Sequence, residues 1–305
     1  MSLDRTRYLE LIDARVFQPA SFADALVSRR RRPIASADGR LIIIAADHTA
    51  RGKISLGSER LAMSDRFTLL DRLVHCLALP EVDGVLASAD VLEELAWLGA
   101  LDDKLAIGTM NRGGIIGATW ELDDRLTAYD TNHVESMGLD GGKTLIRIDY
   151  SDPGVARTIE TVARLTTELA DRKLMAMIEP LPYLKDSTGK AILDTSDEAL
   201  TTVVAIASGL GSSSAYTWLK IPASARMAEV AAATTLPILM LGGEPVGDSD
   251  ETFALWASAM NEPNVRGVVA GRTLLYPNDG NPEAAVARAA AVIRPASSTH
   301  SKGTS

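Results

Sequence analysis

Lys220 is the residue whose type and surroundings point most directly to chemistry. It lies within the apolar run Tyr-Thr-Trp-Leu-Lys-Ile-Pro at 216–222, where a lysine has no solvated face. Because lysine is almost never fully buried without a partner, one interpretation is a salt bridge with an acidic neighbour. The other is a nucleophile: burial beside Trp218 and a nearby cation would favour the neutral amine, which attacks a ketone to form an imine (Schiff base). The sequence alone does not choose between them.

Three further charged residues lie in or directly after apolar, β-branched runs. Glu179 follows the run 174–178, where burial would favour a carboxyl group that both donates and accepts protons. The alternative is a glutamate that only caps the loop after a strand. Asp47 is either a partner for a substrate hydroxyl or the N-cap of a turn. Arg147 needs a carboxylate or phosphate partner, for which Asp47 and Glu179 are candidates.

Glycine motifs follow the last two apolar runs. They are Leu-Gly-Gly at 241–243 and Ala-Gly-Arg at 270–272, and both allow a ligand to approach the backbone closely. In α/β barrels the loops after the seventh and eighth strands commonly bind phosphate. The predicted phosphate-binding residues are therefore Gly242, Gly243, Gly271 and Arg272.

These residues need a framework that brings strand ends together, and the sequence supplies eight apolar runs. They alternate with stretches of helical periodicity at 65–79, 155–171, 195–208 and 249–260. Strands that are apolar on both faces and alternate with helices predict a parallel sheet covered by helices. Eight such units without a linker predict a single (β/α)8 TIM barrel, an α/β fold with its active site at the carboxyl ends of the strands. The runs are 41–46, 84–87, 105–109, 144–148, 174–178, 216–221, 238–241 and 267–270.

The 305 residues divide into three predicted parts. We expect an N-terminal helical extension at 1–35, the barrel at 36–294, and a disordered tail at 295–305 that is rich in Ser, Thr and Gly. The run of four arginines at 29–32 is interpreted as the solvated end of a helix rather than a nucleic-acid-binding patch. The long connection at 111–143 is expected over the active face.

Composition excludes several classes of protein. The chain has 31 basic and 40 acidic side chains, and the net charge of −9 argues against nucleic acid as a partner. One cysteine forms no internal disulfide, and with four histidines it predicts no metal site and no cofactor. The N-terminus lacks a signal-like apolar core, and no run approaches the roughly 18 apolar residues of a membrane span. We expect a cytoplasmic homo-oligomer without a membrane partner, acting on a small phosphorylated sugar.

Five motifs occur in one order over about residues 40–275. They are Ala-Ala-Asp-His-Thr-Ala-Arg-Gly (45–52), Ile-Glu-Pro-Leu-Pro-Tyr (178–183), Leu-Lys-Ile-Pro (219–222), Leu-Met-Leu-Gly-Gly (239–243) and Val-Val-Ala-Gly-Arg (268–272). Together they resemble the class I aldolases of the tagatose-bisphosphate aldolase group, whose superfamily includes deoxyribose-phosphate and archaeal-type fructose-bisphosphate aldolases. The lysine and glutamate motifs are the specific ones.

The resemblance implies a role for each matching residue. Lys220 would form the Schiff base, Glu179 would transfer protons in carbinolamine formation and carbon–carbon cleavage, and Asp47 would hydrogen-bond a substrate hydroxyl. The tagatose group has a lysine on the fourth strand, a position assigned here to Arg147. Because arginine supplies charge but cannot shuttle a proton, this departure predicts a different substrate.

The motifs are also similar to the aldolase expected in actinobacterial myo-inositol catabolism. Its substrate would be 6-phospho-5-dehydro-2-deoxygluconate, cleaved into dihydroxyacetone phosphate and malonate semialdehyde. Arg147 or Arg112 would suit the substrate carboxylate, because a guanidinium binds carboxylate bidentately, and Tyr183 is a further predicted substrate contact. Two other functions stay open: a non-covalent phosphosugar isomerase or decarboxylase with Glu179 as base, and a non-catalytic sugar-phosphate-binding barrel.

Overall fold

A computed structural model of the chain describes residues 2–111, 114–115, 117–118, 120–243 and 249–295. Arg112, a predicted substrate contact, lies outside the described residues, as do residues 296–305 of the predicted tail. Among the described helices, none combines the length and apolar composition needed to cross a membrane.

Eight parallel strands close into a barrel, as the alternating runs predicted. The described strands are β1 (Leu41–Ala45), β2 (Gly84–Ala87), β3 (Leu105–Thr109), β4 (Gly141–Ile148), β5 (Met175–Lys185), β6 (Ala191–Leu193), β7 (Thr217–Pro222), β8 (Ile238–Leu241) and β9 (Val265–Ala270). The order around the barrel is β4-β3-β2-β1-β9-β8-β7-β5, and pairing of β4 with β5 closes the ring. Strand β6 forms an antiparallel hairpin with the far end of β5. Each predicted run overlaps one barrel strand.

Helices cover the outside of the barrel in the order expected for β/α units. Several begin at side-chain caps: Asp65 accepts from the Thr68 amide, and Ser196 accepts from the Ala199 amide. The described helices are α1 (Arg5–Phe17), α2 (Ala20–Ser28), α3 (Arg66–Leu77), α4 (Ala89–Trp97), α5 (Thr131–Ser136), α6 (Gly154–Asp171), α7 (Asp197–Ser208), α8 (Met227–Ala232), α9 (Ser249–Ala259), α10 (Arg272–Leu275) and α11 (Pro282–Ile293). A short 3-10 helix, Thr49–Arg51, follows β1.

The barrel interior is apolar along the first part of each strand. Met175 and Met177 of β5 belong to this inner cluster, and Trp218 of β7 packs against it. Because side chains alternate along a strand, the next inward positions are Glu179 on β5 and Lys220 on β7. The alternation that fills the interior therefore also aims charged groups at the carboxyl end of the barrel.

Helices α1 and α2 pack against the neighbouring barrel helices. The ring of Phe22 stacks on Trp97 of α4 with centroids 5.9 Å apart, and Tyr8 meets Phe67 of α3 edge-on at 5.3 Å. Aromatic pairs of this geometry stabilise beyond the area that they bury. The first helices of the chain therefore form part of the same folded body.

The arginine run at 29–32 is only in part the solvated helix end that its composition predicts, because Arg30 and Arg31 are exposed whereas Arg29 and Arg32 form ion pairs with the barrel. Arg29 is only 7% exposed, and its Nη2 lies 2.6 Å from Oδ2 of Asp140, just before β4. Its guanidinium also donates to the carbonyl oxygens of Lys104 and Gly138. Arg32 pairs with Asp83, the residue before β2, at 2.8 Å. The run closes the amino-terminal end of the barrel.

Arg29→Ala is therefore expected to lower the free energy of unfolding by about 3 kcal/mol, the lower end of the range for a broken buried pair, because Asp140 keeps only the half-exposed Arg31 as an ion-pair partner. Denaturant unfolding measures the effect. Arg30→Ala is the matched control: its side chain is 69% exposed beside Asp102 and Asp103, so its loss should leave stability nearly unchanged. Equal effects of the two substitutions would contradict this account.

Candidate active site

Four charged side chains meet inside the carboxyl end of the barrel. They are Asp47 after β1, Lys143 on β4, Glu179 on β5 and Lys220 on β7, and all four are buried. Nζ of Lys143 lies 3.2 Å from Oδ2 of Asp47 and also contacts Oε2 of Glu179. Nζ of Lys220 lies 3.1 Å from Oε1 of Glu179. One carboxylate therefore bridges two lysines.

The cluster is balanced in charge, which buried ionic groups require. Two carboxylates face two amines, so the site is neutral when all four groups are ionised. A proton passing from Lys220 to Glu179 would leave that net charge unchanged. Because Glu179 contacts Lys220 directly, it is placed both to accept this proton and to return it to a reacting oxygen.

The contacts of Lys220 agree with both interpretations that its sequence position left open, a buried ion pair and a nucleophile. It is 3% exposed and forms the buried ion pair that a structural role predicts. The same contact supplies the base that a nucleophilic lysine needs. Lys143 is more enclosed, with carboxylates on two sides and no exposed surface. Of the two lysines, only Lys220 has any exposed surface.

Lys143 is not among the site residues predicted from the sequence. The predicted fourth strand starts at residue 144, whereas β4 starts at Gly141 and carries Lys143 on the face that points inward. Lys143, and not Arg147, is therefore the cation of β4 that contacts Asp47 and Glu179. Period-2 alternation backward from Arg147 would have found Lys143, because residues 143, 145 and 147 share one face.

Arg147 lies farther along β4 and has other partners than those considered from the sequence. Its Nη2 is 2.6 Å from Oδ1 of Asp124, its Nε also donates to that carboxylate, and both side chains are buried. Its Nη1 lies 3.5 Å from Oε1 of Glu121. Burial raises the pKa of Asp124, although Arg147 opposes the shift. These contacts hold the β3–α5 connection against the end of the barrel, since Asp124 and Glu121 both belong to it.

Tyr183 and Asn111 also contact the residues that hold the β3–α5 connection against the barrel. The Tyr183 ring centroid is 5.7 Å from Cζ of Arg147, and burial raises the pKa of the Tyr183 hydroxyl. Asn111 donates to the carbonyl oxygens of Asp124 and Leu145 and accepts from the Leu145 amide. Tyr183 therefore belongs to a second cluster, with Arg147, that lies farther along the strands than the lysines. Asp47, Glu179 and Lys220 all belong to the first cluster, around Lys143.

The two glycine motifs lie beside each other at the end of the barrel. A Cβ at Gly242 would come within 2.6 Å of Oγ1 of Thr273, so the loop after β8 packs tightly against the start of α10. A Cβ at Gly271 would meet the Ala45 carbonyl oxygen and the His48 ring, next to Asp47. Gly243 has a φ of +75°, and Arg272 is buried. Close packing accounts for both Gly242 and Gly271, and Gly271 also lies beside the charged cluster.

Comparison with known proteins relates most of the chain to one family. A family model described as Cgl0159-like matches residues 39–290. The crystal structure of Cgl0159 from Corynebacterium glutamicum (Brevibacterium flavum) shares 44% sequence identity, with 95% of this chain and 98% of that chain covered and a TM-score of 0.92. The comparison with curated proteins found no match.

More distant structures share the fold. An archaeal fructose 1,6-bisphosphate aldolase is 18% identical, with 89% of this chain and 98% of that chain covered and a TM-score of 0.64. An archaeal fructose-1,6-bisphosphate aldolase structure with its catalytic Lys covalently bound to the carbinolamine intermediate of the substrate is 19% identical, with 89% and 97% covered and a TM-score of 0.63. At this identity the similarity shows the barrel fold.

Proposed function

The chain belongs to the Cgl0159-like family, and we propose that it is a class I aldolase that cleaves a phosphorylated ketose or keto-sugar acid through an imine on Lys220. The observation that carries the proposal is the carboxylate of Glu179 between two buried lysines, with Nζ of Lys220 3.1 Å from Oε1. The barrel shared with aldolases that form a carbinolamine on lysine supports it.

The first half of the reaction forms the imine. Glu179 takes a proton from Lys220, and the neutral amine attacks the substrate ketone. As the C–N bond forms, the carbonyl oxygen receives the proton held by Glu179, which gives a carbinolamine. Glu179 then takes a proton from the carbinolamine nitrogen and passes it to that hydroxyl, which leaves as water and gives a protonated imine. Lys143, in contact with Glu179 and Asp47, holds the positive charge that keeps both carboxylates in place.

The second half breaks a carbon–carbon bond. A carboxylate removes the proton of the hydroxyl on the β carbon, for which Asp47 and Glu179 are the candidates. The O–H electron pair forms the aldehyde carbonyl, and the electrons of the α–β bond move to the protonated imine, which becomes an enamine. Protonation of the enamine and addition of water then release the ketone product and regenerate Lys220. The protonated imine is the electron sink throughout this step.

We further propose 6-phospho-5-dehydro-2-deoxygluconate as a substrate. Its ketone is the imine carbon, and cleavage of the bond between the α and β carbons yields dihydroxyacetone phosphate and malonate semialdehyde. Its phosphate would bind at the adjoining glycine loops with Gly242, Gly243, Gly271 and Arg272. Arg147 is engaged by Asp124, so its proposed part is to position the β3–α5 connection. Arg112, by its chemistry and its place in the sequence after Asn111, is the proposed partner of the carboxylate.

Reductive trapping tests both the proposed aldolase reaction and the proposed substrate. The protein is incubated with this compound and borohydride, the mass shift is mapped by peptide, and release of dihydroxyacetone phosphate is followed in a coupled assay. We expect a stable secondary amine on Lys220 and release of the triose phosphate. An adduct without that product would remove this substrate and keep the aldolase. Turnover without any adduct would favour an isomerase or decarboxylase, and binding without turnover a non-catalytic barrel; either would overturn the aldolase.

A homo-oligomeric state and a cytoplasmic location stay predictions.

A further inference from the structure

A groove of about 880 Å³ lies outside the barrel, between the β3–α5 connection, the first turns of α6 and the β5–β6 hairpin. We call it the outer groove. Its lining includes Trp120, Glu121, Arg157, Lys185 and Lys190. The volume falls within the range of roughly 300–1,000 Å³ that is typical of sites for small molecules.

The outer groove is separate from the charged cluster. The groove lining includes Lys185, which is six residues past Glu179 along β5, or roughly 20 Å at roughly 3.3 Å per residue of strand. Asp47, Lys143, Glu179 and Lys220 are buried inside the barrel and do not belong to this lining. A ligand of the outer groove is therefore not the substrate in its reactive position.

The carboxylates in the groove lining already have partners. Oε1 of Glu121 lies 3.5 Å from Nη1 of Arg147, on the barrel side of the connection. Asp123 accepts from Nε of Arg125 at 3.0 Å. Oδ1 of Asp152 accepts from the Gly154 amide at 2.8 Å. These negative charges are neutralised or engaged within the protein.

Two cations of the lining also interact electrostatically with carboxylates, Arg157 with Asp123 and Lys190 with Asp186, but their side chains stay open to solvent. Arg157 comes from α6, and Lys185 and Lys190 come from the two sides of the hairpin, and all three side chains are exposed. Helix α6 and the β5–β6 hairpin thus both contribute positively charged side chains to the groove lining, although the net charge of the chain is −9. Such a local arrangement attracts an anion with several charged oxygens, since each cation can bind a different one.

Trp120 adds an apolar, planar surface to the same groove. Trp120 is 52% exposed, so its ring is accessible to a ligand in the groove. Indole rings stack on flat, π-bonded ligands irrespective of their exact hydrogen-bonding groups. The groove therefore presents an aromatic platform and a set of cations together, and it is large enough for a ligand that carries both a ring and phosphates.

We propose that the outer groove binds a nucleotide, with the base on Trp120 and the phosphates on Arg157, Lys185 and Lys190. A sugar phosphate alone would leave Trp120 uncovered, and a neutral aromatic compound would leave the cations unused. The combination of a base and two or more phosphates satisfies both. The proposal is independent of the imine chemistry at Lys220.

Titration of the full chain with ADP, followed by calorimetry and tryptophan fluorescence, tests the proposal. We expect saturable binding with quenching of Trp120. The double variant Lys185→Gln, Lys190→Gln should lower the affinity for ADP at least tenfold. Trp120→Leu should lower this affinity several-fold and remove the quenching. Lys173→Gln, an exposed lysine beyond the other end of α6, is the matched control and should leave ADP affinity unchanged.

Three results would overturn the proposal. One is an absence of binding at millimolar ADP by the folded wild-type chain. Another is an unchanged ADP affinity in the double lysine variant, with its fold verified by circular dichroism. The third is equal affinity for ribose 5-phosphate and ADP, because stacking on Trp120 would then contribute nothing. Trapping of the substrate imine at Lys220 in the same samples reports on the proposed aldolase separately.

Discussion

Lys220→Met is expected to lower kcat by at least about 10⁴-fold and to abolish the borohydride-trapped adduct. The substitution removes the nucleophile itself, and loss of a covalent nucleophile elsewhere costs factors of this order or more. Methionine keeps most of the side-chain volume in the apolar surroundings of β7, so the barrel should still fold. Steady-state assay and peptide mass mapping measure the two effects.

Lys104→Met is the matched control for this substitution. Lys104 is a partly buried lysine at the opposite end of the barrel, where its Nζ donates to the carbonyl oxygens of Leu79 and Val82. The same chemical change there should leave kcat and the adduct on Lys220 intact. An adduct that persists in Lys220→Met would show that another lysine carries the imine.

Lys143→Met separates the functions of the two lysines at the site. Because Lys143 has carboxylates on two sides, we expect it to organise Asp47 and Glu179 rather than to bind the substrate carbon. The adduct should therefore still form on Lys220, but more slowly, as the pair of carboxylates loses its shared cation. Transfer of the adduct to Lys143 in the Lys220→Met protein would reverse this assignment.

Glu179→Gln is expected to lower kcat by about 10²–10⁴-fold, the range usual for loss of a general acid–base group. Glutamine has the same shape as glutamate, but its single acceptor oxygen can pair with only one of Lys143 and Lys220, and it cannot take a proton from either. Both carbinolamine formation and loss of water need that proton, so the rate of adduct formation should fall together with turnover. Single-turnover trapping with borohydride measures the chemical step directly.

Glu94→Gln provides the control for Glu179→Gln. Glu94 is also buried and bridges two cations, Arg15 and Arg66, but it lies on α4, on the outside of the barrel. Its substitution should alter stability and leave kcat unchanged. If Glu179→Gln retained wild-type turnover, the proton would have another route and Glu179 would only hold the lysines in position.

The barrel itself could be predicted from local patterns. Short apolar runs between helical stretches required a parallel sheet covered by helices, and all eight barrel strands lie where the runs are. Three of the four charged residues at the site, Asp47, Glu179 and Lys220, were also identifiable, because a charge in or directly after an apolar strand is conspicuous. Lys143 was missed because the predicted strand began at residue 144, three residues after the start of β4, and strand boundaries are the least certain part of such a prediction.

The partners of the charged residues were decided only by the tertiary structure. Arg29 and Asp140 are 111 residues apart in the chain, and Lys143 and Asp47 are 96 apart. Periodicity reports which face of a strand a side chain occupies, and this is a local property of the backbone. Which cation meets which carboxylate depends on how the strands are ordered and staggered when the barrel closes. For this reason the sequence by itself determined the barrel and a lysine buried within one of its strands. Only the closed barrel showed that Glu179 lies between two lysines and that Arg147 holds the β3–α5 connection instead of joining them.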